Sequence, residues 1–109
     1  MTIVTLSPEE ARAQIAQGAR LIDIRDADEY AREHIPDAEL VPLAALNNGA
    51  MLRTAADETV IFHCQAGSRT QNNAIRLLAA AAPAQVKLLA GGIQAWKAAG
   101  LPVKEDKTQ

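Results

Sequence analysis

The segment that decides the fold reads Thr59-Val60-Ile61-Phe62-His63-Cys64-Gln65-Ala66-Gly67-Ser68-Arg69. Residues 59–63 are a nearly continuous run of β-branched and aromatic residues, which is typical of a strand covered on both faces of a sheet. The strand leads directly into a loop at 64–69, and apolar residues at helical spacing then run from Ala74 to Ala82. A strand, a loop and a helix in this order predict one unit of an α/β domain.

The same alternation of short apolar runs and helix signals extends along the rest of the chain. Strands are predicted at 21–24, 40–41, 59–63 and 86–89. Helices are predicted to begin at Ser7-Pro8-Glu9-Glu10 and at Asp26-Ala27-Asp28-Glu29, where a capping residue stands before acidic residues, and to follow Gly91-Gly92. This pattern predicts an α/β fold with a mostly parallel sheet.

Composition and charge exclude several classes of function. The chain has 109 residues, enough for one domain, and its 11 basic and 13 acidic residues leave no strongly basic face, so we expect no nucleic-acid partner. The one cysteine, Cys64, cannot close an internal disulfide, and together with His34 and His63 it is too small a ligand set for a closed zinc site. No secretory signal or membrane-spanning run is present. We therefore expect a soluble, cytoplasmic domain with a free thiol.

The loop at 64–69 is where we expect chemistry, because loops after buried strands line the ligand crevices of open α/β sheets. Backbone N–H groups in such a loop and at the following helix start form a cradle for negative charge, which favours the thiolate form of Cys64. Gly67 permits backbone conformations that other residues avoid. Arg69 adds a permanent cation that either faces the sulfur or binds an anionic substrate in bidentate fashion.

The loop and its flanks resemble those of single-domain rhodaneses, which are sulfurtransferases. The loop has the family's C-x-x-G-x-R form, and the other matching segments are Leu21-Ile22-Asp23-Ile24-Arg25, Glu29-Tyr30, His34-Ile35-Pro36-Asp37-Ala38, Gly91-Gly92-Ile93-Gln94-Ala95-Trp96 and Gly100-Leu101-Pro102-Val103. Glu33 and Asp37 stand where the family has glycines, and Thr70 stands where many relatives have serine. The resemblance implies a three-layer α/β/α rhodanese-like domain with a central, mostly parallel five-stranded sheet. It assigns 1–103 to this domain and leaves 104–109 as a polar tail that we expect to fray.

The resemblance also implies a reaction in two steps. The thiolate of Cys64 attacks the outer sulfur of thiosulfate or a similar donor, releases sulfite and becomes a persulfide; cyanide or a thiol acceptor then removes that sulfur. The substrate-binding loop comprises Gln65, Ala66, Gly67, Ser68, Arg69 and Thr70, whose N–H groups point at the terminal sulfur. Asp23 and Arg25 are predicted to support this loop from beneath, as a buried pair. No metal or organic cofactor is required.

The likeness is closest to the cytosolic rhodanese domain of bacterial inner-membrane rhodaneses, which continue into transmembrane helices. The resemblance therefore leaves two origins open for this chain. One is a soluble piece of a membrane-anchored parent protein, acting at the cytosolic face of the inner membrane. The other is a free-standing relative.

Several residues with chemical potential receive structural roles. His63 precedes the nucleophile, but strand alternation aims it away from Cys64, so we interpret it as structural. His34 is likewise interpreted as structural, and Trp96 as a packing residue that anchors the last helix over the sheet. The acidic residues Asp26, Asp28 and Glu29 are interpreted as a helix N-terminus that complements the helix dipole.

Two other functions compete with sulfur transfer. Cysteine-dependent phosphatases and arsenate reductases of this fold carry arginine at the sixth position after the cysteine, whereas here Arg69 is fifth and Thr70 sixth. The shorter loop lacks room for a tetrahedral phosphate. A redox-sensing or protein-interaction module without turnover also remains open.

Overall fold

The computed structural model describes residues 3–105 and contains seven strands and six helices in that range. The strands are β1 (Val4–Leu6), β2 (Arg20–Asp23), β3 (Glu33–His34), β4 (Glu39–Leu40), β5 (Thr59–His63), β6 (Gln85–Leu89) and β7 (Lys104–Glu105). The helices are α1 (Pro8–Ala16), α2 (Ala27–Arg32), α3 (Leu43–Asn47), α4 (Ser68–Asn72), α5 (Ala74–Ala81) and α6 (Gly92–Ala98).

A five-stranded sheet with the order β1-β6-β5-β2-β4 forms the centre of the domain. Every pairing in it is parallel, and β5 lies in the middle between β2 and β6. Val60, Ile61 and Phe62 of β5 are completely buried, as expected for a strand covered on both faces. Because all strands point the same way, their carboxyl ends meet at one edge of the sheet, and Cys64 follows the end of the central strand.

Helices cover both faces of the sheet, which confirms the predicted three-layer α/β fold. Alternation along β2 places Leu21 and Ile22 in two different hydrophobic clusters. One cluster includes Leu46 of α3 and Leu77 of α5, whereas the other includes Trp96 of α6. The core is therefore split into two layers by the sheet that carries Cys64.

Local capping residues fix where the first two helices start. The Ser7 hydroxyl accepts the N–H of Glu10 at 3.1 Å, and the Glu10 carboxylate accepts the N–H of Ser7 at 2.8 Å, which is the predicted capping box. Before α2, the Glu29 carboxylate accepts the N–H of Asp26 at 2.9 Å. These signals are contained within four consecutive residues, so the sequence predicted both helix starts correctly.

Two helices follow the cysteine, and the second of them, α5, confirms the helix predicted from Ala74 to Ala82. The first begins at Ser68, inside the segment 64–69 that we had predicted to be loop, and a break at Asn73 separates α4 from α5. The Asn73 side chain donates to the carbonyl oxygen of Arg69 at 2.8 Å, so it competes with the regular backbone ladder at the break.

Two further features differ from the expectations. Lys104 and Glu105, which we expected to fray, pair antiparallel with β3 because the backbone of Glu33–His34 is open to them; residues 106–109 of the predicted tail lie outside the described residues. Asp37 has φ 68°, so it adopts the left-handed conformation that the family's glycine would take there. Across residues 3–105, none of the helices has the length and apolar character needed to span a membrane.

Candidate active site

Cys64 lies at the base of the loop that follows β5, with 1% of its surface exposed. The Gly67 N–H donates to its Sγ at 3.1 Å, and the hydroxyl oxygen of Thr70 lies 3.8 Å from the same atom. The Thr70 hydroxyl also donates to the carbonyl oxygen of Gly67 at 3.0 Å. A hydroxyl carries one hydrogen, so it serves either that carbonyl or a thiolate at Cys64, but not both at once.

Gly67 shapes the turn that brings an N–H group back to the sulfur. Its φ of 100° lies in the left-handed region, where a side chain is strained. A Cβ at this position would also lie 3.2 Å from the backbone nitrogen of Gly91. The loop therefore needs glycine here both for its conformation and for its close approach to the segment before α6.

The start of α6 holds the loop through backbone hydrogen bonds. Ile93 donates its N–H to the carbonyl oxygen of Cys64 at 3.0 Å, and Gln94 donates to that of Gln65 at 3.1 Å. Gly92 allows this contact, because a Cβ there would lie 2.4 Å from the Cys64 oxygen and 2.6 Å from the Gln65 oxygen. The Gly91-Gly92 pair is thus part of the active-site framework, a role that the sequence analysis did not assign to it.

The structure places Asp23 and Arg25 as a buried ion pair next to the loop. Asp23 Oδ1 accepts the backbone N–H and the Nε–H of Arg25, both at 3.0 Å, and Oδ2 lies 2.8 Å from Nη2. Arg25 then donates from Nη1 to the side-chain oxygen of Gln65 at 3.1 Å and from Nη2 to the carbonyl oxygen of Glu33 at 2.7 Å. The pair therefore ties the cysteine loop to the segment that follows α2.

His63, the last residue of β5, is completely buried. Its Nδ1 is 3.1 Å from the carbonyl oxygen of Cys64, and its Nε2 is 3.5 Å from Asp23 Oδ2. Within the described part of the chain, Nε2 has no hydrogen-bond partner. Burial lowers the pKa of His63 despite the opposing effect of the Asp23 charge. The ring is therefore neutral near pH 7, and a structural role for His63 stays a prediction.

Arg69 points its terminal nitrogens at Glu29. The Nη1–Oε1 and Nη2–Oε2 distances are both 2.9 Å, so the pair is bidentate. This hydrogen bonding lowers the pKa of Glu29 to about 2 and raises the pKa of Arg69. The sequence pattern around Glu29 indicates only a helix start and does not predict this contact. The one signal that singled it out was its place in the Glu29-Tyr30 match to the family.

The remaining candidates are distributed as follows. Ala66 and Ser68 are exposed at the rim of the loop. His34 stacks on Tyr30 with ring centroids 4.0 Å apart, and the Trp96 indole donates to the carbonyl oxygen of Pro102 at 2.7 Å. The interactions of these two rings are therefore packing and structural hydrogen bonding.

A pocket of about 270 Å³ lies beside the loop. It is lined by Arg25, Glu29, Arg32, Glu33 and Gln65. Two larger pockets, of about 420 and 500 Å³, lie beside Thr59 and Ile75, and neither is lined by a residue of the cysteine loop at 64–69. We therefore take the loop at Cys64, together with the pocket next to Gln65, as the candidate site.

Comparisons with known proteins agree with this geometry. The pattern of the rhodanese-like domain matches residues 7–99. An uncharacterized protein of Synechocystis sp. is 37% identical to this chain over 107 residues. The aligned region covers 97% of this chain but only 59% of that protein. The thiosulfate sulfurtransferase GlpE of Pseudomonas fluorescens is 36% identical over 93 residues, covering 84% of this chain and 83% of the relative. A crystal structure of a thiosulfate sulfurtransferase from Pseudomonas aeruginosa superimposes with a TM-score of 0.79 at 27% identity, covering 98% of this chain and 21% of that one.

Proposed function

Because the chain belongs to the rhodanese-like domain family, we propose that it is a sulfurtransferase that uses Cys64 to move a sulfane sulfur from thiosulfate or a similar donor to cyanide or a thiol acceptor. The observation that carries this proposal is the Gly67 N–H, which donates to Sγ at 3.1 Å from within the loop. That donor is fixed before the reaction and faces the atom on which negative charge resides. Relatives named thiosulfate sulfurtransferase, at 36% identity over 93 residues for the Pseudomonas fluorescens protein, support the same reaction class.

The reaction proceeds by two displacements at sulfur. The Cys64 thiolate attacks the outer sulfur of thiosulfate, the S–S bond of thiosulfate breaks, and sulfite leaves with the bonding electron pair. The enzyme then carries a terminal persulfide sulfur with one negative charge. Cyanide or a thiolate attacks this terminal sulfur, takes it as thiocyanate or a new persulfide, and returns Cys64 to its thiolate.

The shape of the site favours sulfur transfer over phosphate chemistry. With 1% of Cys64 exposed, little of its sulfur surface is open to an incoming group. A terminal sulfur is a single atom wide and suits this opening better than a tetrahedral phosphate. Arg69 follows the cysteine at the fifth position, whereas phosphatases of this fold carry arginine at the sixth, and two of its N–H groups are already bound by Glu29. We propose that the protein acts in the cytoplasm, because this compartment keeps thiols reduced and such a compartment suits this chemistry.

Intact-mass spectrometry tests the proposal directly. Incubation with thiosulfate should add the mass of one sulfur atom, and cyanide should remove it with release of an equal amount of thiocyanate. The Cys64→Ser variant should form no adduct and no thiocyanate while unfolding at the same denaturant concentration as the parent protein.

Two results would contradict the proposal. Turnover by Cys64→Ser would exclude Cys64 as the nucleophile. Absence of the adduct in the parent protein would favour the redox-sensing or interaction module.

A further inference from the structure

The cations around the pocket are nearly all balanced by carboxylates. The three ion pairs are Arg25–Asp23 at 2.8 Å, Arg69–Glu29 at 2.9 Å and Lys97–Glu33 at 2.9 Å. Among the lining residues, the side chain of Arg32 alone has no ion-pair or hydrogen-bond partner within residues 3–105. The pocket beside the cysteine loop is therefore surrounded by far less net positive charge than the number of nearby basic residues suggests.

Glu29 holds its position in this arrangement through two independent contacts. Its Oε1 accepts the Asp26 N–H at 2.9 Å, which belongs to the start of α2, and the same carboxylate binds both terminal nitrogens of Arg69. Because the Arg69 hydrogen bonds lower the pKa of Glu29 to about 2, the carboxylate stays charged at any working pH. The positive charge of Arg69 is thus neutralised permanently.

We propose that Glu29 is a specificity-determining residue, which makes the site discriminate against small dianions and favour sulfane donors that carry one net negative charge or none, such as persulfides of thiols. This inference rests on the proposed sulfur transfer and names the class of donor for the same site. It assigns to Glu29 a role in electrostatic selection, in addition to its place in the helix cap.

The hydrogen-bonding capacity of Arg69 explains how the Arg69–Glu29 pair can be neutral overall and still bind a sulfur-donor substrate. A guanidinium has five N–H donors, and Glu29 uses two of them. The others remain available to a sulfonyl or carboxylate oxygen. The Glu29 charge repels a donor in proportion to the donor's own charge, so it opposes a dianion about twice as strongly as a monoanion.

A pair of donors that differ by one charge isolates this effect. Thiosulfate is a dianion, whereas methanethiosulfonate replaces one oxygen by a methyl group and is a monoanion. Both present a terminal sulfur bonded to a sulfonyl sulfur; attack by the thiolate breaks that bond and releases sulfite from the first and methanesulfinate from the second. The measured quantity is the ratio of kcat/KM for thiosulfate to kcat/KM for methanethiosulfonate, with cyanide as acceptor.

The variant Glu29→Gln removes the charge and keeps an oxygen for the Asp26 N–H, so α2 retains its cap. We expect the ratio to rise about three- to tenfold, and the gain to shrink as salt is added. Glu39→Gln is the matched control, because Glu39 forms an equivalent bidentate pair with Arg20, at 2.9 and 3.0 Å, in a contact that does not involve the cysteine loop. Its ratio should equal that of the parent protein.

An unchanged or lower ratio in Glu29→Gln would overturn the inference, and equal losses with both donors would show that Glu29 only positions Arg69. The same two anions are also titrated by NMR into Cys64→Ser and into Cys64→Ser with Glu29→Gln. In the double variant, the dissociation constant for thiosulfate should fall relative to that for methanethiosulfonate. The absence of this change would refute the selection by charge. Because this second readout needs no turnover, failure of the charge selection is distinguishable from failure of the proposed sulfur transfer.

Discussion

Replacing Gly92 by alanine should damage the cysteine loop from outside it. Gly92 has φ 61°, and an alanine in this left-handed conformation costs about 1–2 kcal/mol. In addition, its Cβ would lie 2.4 Å from the Cys64 carbonyl oxygen and 2.6 Å from that of Gln65. Both obstacles are backbone atoms, so the start of α6 and the loop must move apart.

That movement breaks the hydrogen bonds from the N–H groups of Ile93 and Gln94 to the two carbonyls, at 3.0 and 3.1 Å. At about 1 kcal/mol for each bond, the total loss for Gly92→Ala is about 3–4 kcal/mol. Gly100→Ala provides the control, because Gly100 also has positive φ, at 79°, but a Cβ there meets nothing within 4 Å. Its expected loss is the conformational cost alone, about 1–2 kcal/mol.

The assay is urea unfolding of the two variants and the parent protein, with the midpoints compared at equal m-value. The rate of persulfide formation from thiosulfate is measured in parallel. Gly92→Ala should be less stable than Gly100→Ala by about 2 kcal/mol and should form persulfide more slowly. Equal stability of the two variants, or an unchanged persulfide rate in Gly92→Ala, would refute the role of α6 in holding the loop.

Two further substitutions test the groups around the sulfur. Arg69→Ala should lower kcat/KM for thiosulfate by about ten- to a hundredfold, because hydrogen bonds from a charged group are lost. The loss should be smaller for an uncharged persulfide. Steady-state kinetics with both substrates measure this, and equal losses would indicate a structural arginine. Thr70→Val removes the hydroxyl that lies 3.8 Å from Sγ and should slow adduct formation about tenfold in time-resolved mass spectrometry. Thr70→Ser should stay close to the parent rate, and an equally slow serine variant would point to packing of the methyl group.

The parts of the fold that the sequence predicted are those with local causes. The central strand was recognisable because Val60, Ile61 and Phe62 follow one another without a polar residue. Both capping boxes lie within four residues, so their partners can be read along the chain. The antiparallel pair β3–β7 could not be predicted in this way, because each strand has two residues and neither has a pattern of its own.

The same distinction applies to the site. Cys64, Gly67 and Thr70 lie within one loop and the first turn after it, and their proximity follows from spacing. The contact of Arg69 with Glu29 joins residues 40 positions apart. The local pattern around Glu29 is already explained by its role at the helix start, and the Glu29-Tyr30 match to the family does not indicate Arg69 as a second partner.

The contacts of Gln65 hold the cysteine loop in place without involving the exposed side chains of the loop. Its carbonyl oxygen is held by the N–H of Gln94, and its side-chain oxygen is held by Arg25. The loop is thus fixed by backbone contacts and by one buried ion pair, none of which depends on the exposed side chains of Ala66 and Ser68. Changes at those two positions should therefore alter which acceptor reaches the persulfide without altering how the persulfide is held. On this argument, the rim of the loop determines which acceptor is recognised, whereas Glu29, as proposed above, selects the donor by its charge.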